Sequence, residues 1–429
     1  YHGLVLVGKS GEVLRPSILW CDQRTTRECE EIEEKVGKER LFRITCNQLL
    51  TAFTATKLLW VRKNEPQIYE KAFKILLPKD YIRFKLTGEF ATEVTDASGT
   101  LLLDVRKRKW SNEMCQALQI DKEILPRCYE SMEITGQVND EAAQTTGLRE
   151  GTPVVGGAGD QACQAVGNGI VKEGLVSATI GTSGVVFAPT DQVKPDLKGR
   201  VNSFCHALPQ KWHVMGVMIS AGGSLRWFRD NLGKEEIRLA KEKGKDIYQI
   251  LTEEASSIEP GSEGLIFLPY LGGERHPYAD PYARGVFLGL NLRHKKSHLI
   301  RSVLEGVAYG LKDSLEVIKE LGIPIKEVVS SGGGAKSDLW VQIQADINDI
   351  TMVRTNVTEG AAFGAAILAT VKTGIYRTVE EACCKIVMVN KRFYPHKNNA
   401  AIYANFYKIY HSLYPILKDT FLQINQAIK

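Results

Sequence analysis

Several short segments of this sequence that are typical of strands lead directly into clusters of glycines. They are residues 153–155 before 156–159, residues 176–180 before 181–184, and residues 327–331 before 332–334. Residues 299–321 repeat apolar side chains at three- and four-residue spacing, which predicts an amphipathic helix. Strands that end in glycine turns and alternate with helices are typical of α/β proteins. The sequence therefore predicts an α/β fold.

The length of 429 residues predicts two or three domains, because domains usually hold roughly 100–200 residues. Long polar helices dominate the first part of the chain, and glycine-rich hairpins follow the region around 168–176. We predict a first domain over 1–168, a second over 169–371 and a C-terminal helical segment over 372–429.

Local patterns predict further elements along the chain. Residues 22–75 and most of 110–146 are expected to be helical, and the small-residue run 360–371 is expected to form a closely packed helix. Residues 176–187 are expected to form a hairpin, and residues 153–157 a buried strand.

Composition excludes several functional classes. The net charge is only +5, and no apolar run approaches the roughly 18 residues of a membrane span or the pattern of a signal peptide. Nine cysteines occur without a C-x-x-C pair, which indicates reduced thiols in a cytoplasmic protein. The basic run 106–109 is interpreted as a solvated face, since no nucleic-acid-binding motif accompanies it. We expect no nucleic-acid partner, no membrane and no protein-held metal cage.

Asp160 lies between a predicted strand and a predicted helix, directly after the glycines of 156–159. One interpretation is that Asp160 caps the helix, a position that aspartate favours. The alternative is a general base, since α/β proteins bind ligands at the carboxyl ends of strands and the helix dipole keeps a carboxylate ionised. The segment also fits a loose dinucleotide fingerprint, but 176–182 lacks the acidic residue that such sites carry roughly 20 positions on.

Two glycine-rich turns are candidate phosphate-binding sites. Residues 181–184 form either an ordinary tight turn or a hairpin tip whose N–H groups and hydroxyls hold a phosphate. They are not a Walker loop, because no G-K-[ST] follows. Residues 332–334 end a strand, and a helix is expected near Ser337. This second turn is either a plain connection or the close approach of backbone to a nucleotide.

Other polar residues are weaker candidates. Trp20 and Asp22 could contact a polyol or cap the helix that follows them. Glu274 and Arg275 follow a glycine pair and could form a loop ion pair of little energetic value.

Taken in order, these segments resemble the FGGY family of carbohydrate kinases. The second family signature resembles residues 285–290 and 298–305, and the first resembles residues 53–60. Within the family the chain is most similar to kinases that act on D-xylulose, through residues 14–20, 77–81, 95–100, 203–209 and 267–271. The resemblance implies two actin-like ATPase (ribonuclease H-like) domains flanking a cleft, with the first domain incomplete at its N-terminus.

The resemblance also implies roles for individual residues. Asp160 corresponds to the catalytic base, and it would hold Mg²⁺ through water together with an Asp that precedes this chain. The implied substrate-binding residues are His2, Trp20, Asp22 and Gln161. The implied ATP-binding residues are Gly181, Thr182, Ser183, Gly332, Gly333, Gly334 and Ser337.

The implied activity is ATP-dependent phosphorylation of D-xylulose to D-xylulose 5-phosphate, with ATP and Mg²⁺ as cofactors and a homodimer as a further expectation. The family's opening Asp-x-Gly-Thr motif is absent. The resemblance thus predicts that about 75 residues are missing before Tyr1, and that the chain is inactive or unstable because its sheet is left open. Two alternatives stay open: a kinase for another sugar or polyol such as ribulose, gluconate or glycerol, and a non-catalytic sugar- or nucleotide-binding remnant.

Overall fold

The structure is a computed structural model that describes residues 2–428. The described chain divides into two compact units. Within the described residues, the first is built from 2–171, 189–214 and 359–387, and the second from 172–188, 215–358 and 388–428. Each unit therefore takes segments from both halves of the sequence.

Up to residue 171 the chain alternates short strands with helices. The strands are β1 (Val5–Val7), β2 (Lys74–Leu76), β3 (Ala91–Glu93), β4 (Leu103–Asp104), β5 (Lys109–Trp110), β6 (Arg127–Tyr129), β7 (Ile134–Gln137) and β8 (Pro153–Val155). The helices are α1 (Thr26–Val36), α2 (Lys38–Thr45), α3 (Thr54–Asn64), α4 (Pro66–Lys71), α5 (Pro78–Thr87), α6 (Val94–Ala97), α7 (Asn112–Ala117), α8 (Asp140–Thr146) and α9 (Asp160–Gly167).

From residue 172 onward most strands are longer. They are β9 (Gly174–Ile180), β10 (Gly184–Thr190), β11 (Asn202–Cys205), β12 (Trp212–Met218), β13 (Ile266–Leu268), β14 (Val286–Leu288), β15 (Ile325–Ser331), β16 (Met352–Thr355) and β17 (Val389–Phe393). The helices are α10 (Gly222–Leu232), α11 (Lys234–Lys243), α12 (Ile247–Ala255), α13 (Lys296–Glu320), α14 (Asp338–Asn348), α15 (Gly360–Lys372), α16 (Val379–Ile386) and α17 (Lys397–Ile428).

In the first unit, helices α9 and α15 pack backbone against backbone. A Cβ atom on Gly364 would lie 1.8 Å from the carbonyl oxygen of Cys163, and one on Gly167 would lie 2.0 Å from that of Gly360. Buried side chains from both helices, including Val166 and Ile367, extend this contact into an apolar core. The glycines are needed because only residues without Cβ permit this approach.

In the second unit, strands lie side by side in the order β12, β10, β9, β15, β16, β17. The hairpin β9–β10 is antiparallel, and β15 lies parallel to both β9 and β16. Val328 of β15 is buried and lies in register with Val176 and Met352, which are also buried. The parallel strands β9 and β15 thus end at the same edge, where both glycine turns follow.

Most predicted elements are confirmed, including the helices over 22–75, 299–321 and 360–371 and the hairpin over 176–187. The prediction that 110–146 is mostly helical is wrong between α7 and α8, where β6 pairs with β3 and β7 pairs with β8. Tertiary pairing overrides the local pattern there.

The strand predicted over 153–157 is present as β8, but the prediction that it is buried is wrong. Pro153 is exposed and the valines of β8 are half-buried, because β8 pairs only with β7 in the described two-stranded sheet.

The basic run 106–109 does not lie wholly on a solvated face. Arg108 has a side chain that is only 9% exposed, and it pairs with Glu130 at 2.6 Å. It also donates to the backbone carbonyl of Lys211 at 2.6 Å. In the part of the chain that is described, no helix has the length and apolar character needed to cross a membrane.

Candidate active site

The turn between β9 and β10 is held by the start of helix α10. The N–H of Gly222 donates to the carbonyl of Gly181 at 2.9 Å, and the N–H groups of Ala221 and Gly223 both donate to Thr182 at 3.0 Å. These bonds fix the carbonyls toward α10 and leave Gly181 and Thr182 exposed on the other side. The turn is thus a rigid, exposed backbone segment, as a phosphate-binding turn requires.

The second glycine turn packs against the end of β9. A Cβ atom on Gly332 would lie 2.6 Å from the carbonyl oxygen of Ile180, and one on Gly334 would lie 2.6 Å from the Ile180 Cβ. Gly332 also has a φ of +77°. Gly333 has more space, since its nearest atom is the Ile180 oxygen at 3.9 Å. Packing therefore explains two of these glycines, and Gly333 is the one that faces open space.

Ser337 begins helix α14. Its Oγ accepts a hydrogen bond from the N–H of Trp340 at 3.3 Å, which is the usual bond of an N-capping serine. Helix α14 extends over 11 residues, so its N-terminus carries a substantial partial positive charge.

The two turns line one cavity of about 680 Å³ within the second unit. Of the predicted ATP-binding residues, its lining contains Gly181, Thr182, Gly333, Gly334 and Ser337. Ser183 and Gly332 are not among its lining residues. The structure thus brings together turns that are 150 residues apart in the sequence.

Sequence reasoning missed several side chains of this cavity. Arg226 of α10 and Lys336 bring positive charge to it, and Tyr248 and Trp340 bring aromatic rings. Asp246 also lines the cavity, but its carboxylate caps helix α12 by accepting from the N–H of Tyr248 at 2.8 Å. The local signal for these side chains is weak: Arg226 stands three residues after the glycine pair 222–223, which by itself indicates no ligand.

Glu274 supports the segment that leads into α10. It is 4% exposed, and its Oε1 accepts from the N–H of Ile219 at 2.9 Å and from its neighbour's N–H, that of Arg275, at 2.7 Å. Burial raises the pKa of Glu274 to about 8. The sequence suggested a loop ion pair for Glu274. In the structure Glu274 instead binds the backbone N–H groups of Ile219 and Arg275.

Asp160 lies in the first unit, at the first position of α9. The helix N-cap is Gly159, so the interpretation of Asp160 as a capping residue is wrong. The Asp160 carboxylate is exposed and accepts a hydrogen bond from the Gln161 amide at 3.0 Å. The structure therefore brings Asp160 and Gln161 together, with the carboxylate open to solvent.

His2 is buried in the first unit. Its ring lies 5.2 Å from the ring of Phe53 and 5.8 Å from that of Phe204. Gly99 packs directly on this ring, since a Cβ atom there would lie 1.7 Å from it. The backbone of His2 is held by Thr54, whose hydroxyl donates to the His2 carbonyl at 3.1 Å.

Trp20 and Asp22 lie at the surface of the first unit. Trp20 is 53% exposed, and the Asp22 carboxylate accepts from the guanidinium of Arg24 at 2.9 Å, which lowers the pKa of Asp22. Neither residue caps the next helix, because α1 has Thr25 as its N-cap. Within residues 2–428, no hydrogen bond joins Trp20 or Asp22 to Asp160.

A second cavity, of about 750 Å³, lies in the first unit. Its lining includes Lys38, Arg43 and Glu39 and contains no predicted site residue. The mixture of opposite charges around it defines no single ligand chemistry.

Comparison with known proteins covers almost the whole chain. Residues 1–167 match the FGGY family of carbohydrate kinases, N-terminal domain, and residues 176–373 match the C-terminal domain of the same family. A xylulose kinase of Bacillus subtilis (strain 168) is 38% identical over 428 residues, covering 100% of this chain and 83% of its own. A xylulose kinase of Escherichia coli (strain K12) is 40% identical over 97% of this chain and 84% of its own.

The crystal structure of a xylulose kinase from Brucella ovis superposes with a TM-score of 0.87 at 36% identity, covering 98% of this chain and 83% of the other. This likeness confirms the predicted α/β fold class of actin-like domains.

Proposed function

The chain belongs to the FGGY family of carbohydrate kinases, and on that premise we propose that it transfers the γ-phosphoryl group of ATP to D-xylulose. The products are D-xylulose 5-phosphate and ADP. The observation that carries the proposal is the identity of 38% and 40% to xylulose kinases along nearly all of the chain. That similarity extends over both family domains, so we propose that the chain carries out the complete phosphoryl transfer.

The cavity of the second unit is the proposed ATP site. The exposed Gly181 turn and Gly333 turn supply backbone N–H donors for phosphate oxygens. Arg226 and Lys336 add positive charge, which a triphosphate requires, and the rings of Tyr248 and Trp340 suit stacking against a flat base.

Asp160 is the proposed general base. Phosphoryl transfer to a sugar requires that the attacking hydroxyl lose its proton, and an ionised carboxylate in contact with that hydroxyl accepts it. Asp160 is exposed, and its side-chain hydrogen bond to Gln161 uses only one carboxylate oxygen, which leaves the other for a substrate. Gln161, His2, Trp20 and Asp22 are proposed to contact the sugar.

The residues of this chain could hold Mg²⁺ only if phosphate oxygens of the nucleotide supplied further ligands. Among the described residues, no group of three or more His, Cys, Asp or Glu side chains could hold a metal ion. Mg²⁺ usually takes one or two carboxylates with phosphate oxygens and water, and the exposed Asp160 carboxylate meets that requirement. When bound, Mg²⁺ neutralises charge on the phosphates.

The location and assembly of the protein are part of the proposal. Cytoplasmic residence agrees with all nine cysteines being free thiols. A homodimer stays a prediction, which the mass of the protein in solution would test.

A matched pair of variants tests the base. Asp160→Asn keeps the shape of the side chain and removes its basicity, so we expect kcat to fall by about 10²–10⁴-fold with ATP affinity retained. Asp140→Asn is the control, because Asp140 is also the exposed first residue of a helix and is also bonded to a glutamine amide, that of Gln144 at 2.9 Å. An Asp160→Asn enzyme as fast as the Asp140→Asn enzyme would show that another group is the base.

A panel of sugars tests the substrate. We expect ADP release in the presence of D-xylulose to exceed that with ribulose, gluconate or glycerol in kcat/KM. If ATP and D-xylulose both bind and no ADP is released, the binding-remnant alternative replaces the kinase.

A further inference from the structure

The loop that precedes Asp160 is anchored by hydrogen bonds from its backbone. The N–H of Gly157 donates to the carbonyl of Ser131 at 2.9 Å, and the N–H of Gly159 donates to the Thr95 hydroxyl at 2.8 Å. Gly159 is the N-cap of α9 and the immediate neighbour of Asp160. The Thr95 hydroxyl therefore holds the Ala158–Gly159 peptide group, one residue before the Cα that carries the Asp160 side chain.

Glu93 fixes the direction of the Thr95 hydroxyl. The Thr95 Oγ1 lies 2.8 Å from the Glu93 Oε1, and the Thr95 N–H donates to Glu93 Oε2 at 2.7 Å. The Thr95 hydroxyl donates its proton to the Glu93 carboxylate in this bond. The hydroxyl's lone pairs then face the N–H of Gly159. Thr95 and Glu93 are both fully buried, so water does not compete for these bonds.

Glu93 is itself held by its surroundings. It accepts from the Ser131 hydroxyl at 2.9 Å and from the N–H of Asp96 at 2.9 Å, and the ammonium of Lys79 lies 3.3 Å away. The carbonyl of Ser131 accepts the hydrogen bond from Gly157. Glu93 is therefore connected to the loop by hydrogen bonds through both Ser131 and Thr95. A buried carboxylate that accepts hydrogen bonds from several donors in this way is held rigidly.

We propose that Thr95 is a positioning residue that sets the Asp160 carboxylate for proton transfer, with Glu93 orienting its hydroxyl. The inference rests on the proposed role of Asp160. Asp160 itself is exposed and is bonded to the flexible amide of Gln161, so its placement depends on the backbone behind it. A misplacement on the order of 1 Å can lower the rate about 10²-fold.

The test compares three variants of the intact enzyme. Thr95→Val removes the hydroxyl at nearly constant volume, Thr95→Ser restores it, and Thr87→Val is the matched control. Thr87 is also buried, and its hydroxyl also accepts a backbone N–H, that of Glu89 at 3.1 Å, and donates to a carbonyl, that of Arg83 at 3.0 Å. Each valine variant loses one bond accepted from a backbone N–H and one bond donated to an oxygen, which is a carboxylate for Thr95 and a carbonyl for Thr87. Their unfolding midpoints report the structural cost of that loss.

We expect Thr95→Val to lower kcat about 10²-fold with the KM for ATP unchanged. Thr95→Ser should restore most of kcat, and Thr87→Val should keep the parent kcat. Equal kcat values for Thr95→Val and Thr87→Val would overturn the proposal.

A double-mutant cycle separates positioning of Asp160 from any other effect. If Thr95 acts through Asp160, adding Thr95→Val to Asp160→Asn lowers kcat no further. A further loss in the double variant would overturn the inference and leave the proposed base intact. If Asp160→Asn alone keeps the parent rate, the proposed base fails, and the inference fails with it.

Discussion

The backbone N–H of Gly222 donates a 2.9 Å hydrogen bond to the carbonyl oxygen of Gly181, which joins the start of helix α10 to the proposed phosphate-binding turn. The two residues are so close that a Cβ atom on Gly222 would lie 2.4 Å from that oxygen. The geometry of the turn therefore depends on a residue that lies 41 positions further along the chain.

Replacing Gly222 by alanine should displace the Gly181 turn. We expect ATP affinity to fall about tenfold, which corresponds to about 1.4 kcal/mol. Calorimetric titration with ATP in the absence of sugar measures the effect. The control is Asn231→Ala, an exposed position of the same helix. If both variants bind ATP equally well, the Gly181 turn is not part of the nucleotide site.

Replacing Gly364 by alanine should separate α9 from α15. The added Cβ would lie 1.8 Å from the carbonyl oxygen of Cys163, so one helix must move, and overpacking of this kind costs about 1–3 kcal/mol. Since α9 begins at Asp160, kcat should also fall. Denaturant unfolding and steady-state kinetics measure the two effects. Ala366→Ser, at an exposed position of α15, should change neither, and a Gly364→Ala protein of parental stability would contradict the packing argument.

Glu305 should be essential for the stability of the second unit. Its carboxylate accepts from Arg301 Nε at 2.8 Å, from the Ser262 hydroxyl at 2.8 Å and from the Tyr403 hydroxyl at 2.8 Å, all in a buried cluster. Glu305→Ala leaves the Arg301 charge buried and unpaired, so we expect the free energy of unfolding to fall by about 3–5 kcal/mol.

Tyr403→Phe provides the matched comparison for that cluster. It removes a hydroxyl that bonds both Arg301 and Glu305 and keeps the ion pair, so the loss should be smaller, about 1.5–3 kcal/mol. Equal losses in Glu305→Ala and Tyr403→Phe would mean that the charge pair contributes nothing beyond the hydrogen bonds of that hydroxyl.

Glu274 should make the protein less stable as the pH rises. Burial raises the pKa of Glu274 from its ordinary 4.5 to about 8, so the folded state holds a proton that the unfolded state releases. The contribution is fully present below pH 4.5 and is lost as the pH rises through about 8. Glu274→Gln mimics the protonated carboxyl, so its melting temperature should change less than the parent's between pH 6 and pH 9.

The control for this pH effect is Glu242→Gln, whose side chain is 53% exposed. It should follow the parent across the same range. If the melting temperature of Glu274→Gln falls as much as that of Glu242→Gln between pH 6 and pH 9, the carboxyl of Glu274 is already ionised in the folded protein.

Several parts of the site could be predicted from local sequence. The order of apolar runs and glycines predicted the β9–β10 turn and the turn after β15, and both line one cavity. The position of Asp160 at the start of a helix was also predicted, because a strand, glycines and a small-residue run leave few other conformations. Burial was predicted less well: β8 has a strand sequence, yet its valines are only half-buried, because burial depends on which strands lie beside it.

The sequence by itself determined the α/β fold class, the family and the positions of the turns, since strand and helix periods and glycine positions are local properties of the chain. Only the tertiary structure decided what each turn residue contacts. Gly332 and Gly334 pack on Ile180 and Gly333 has open space beside it, although the three are identical in the sequence. Thr95 binds Gly159 across 64 residues, and nothing local to either residue specifies that bond, because a hydrogen bond between distant segments exists only after packing has brought them together.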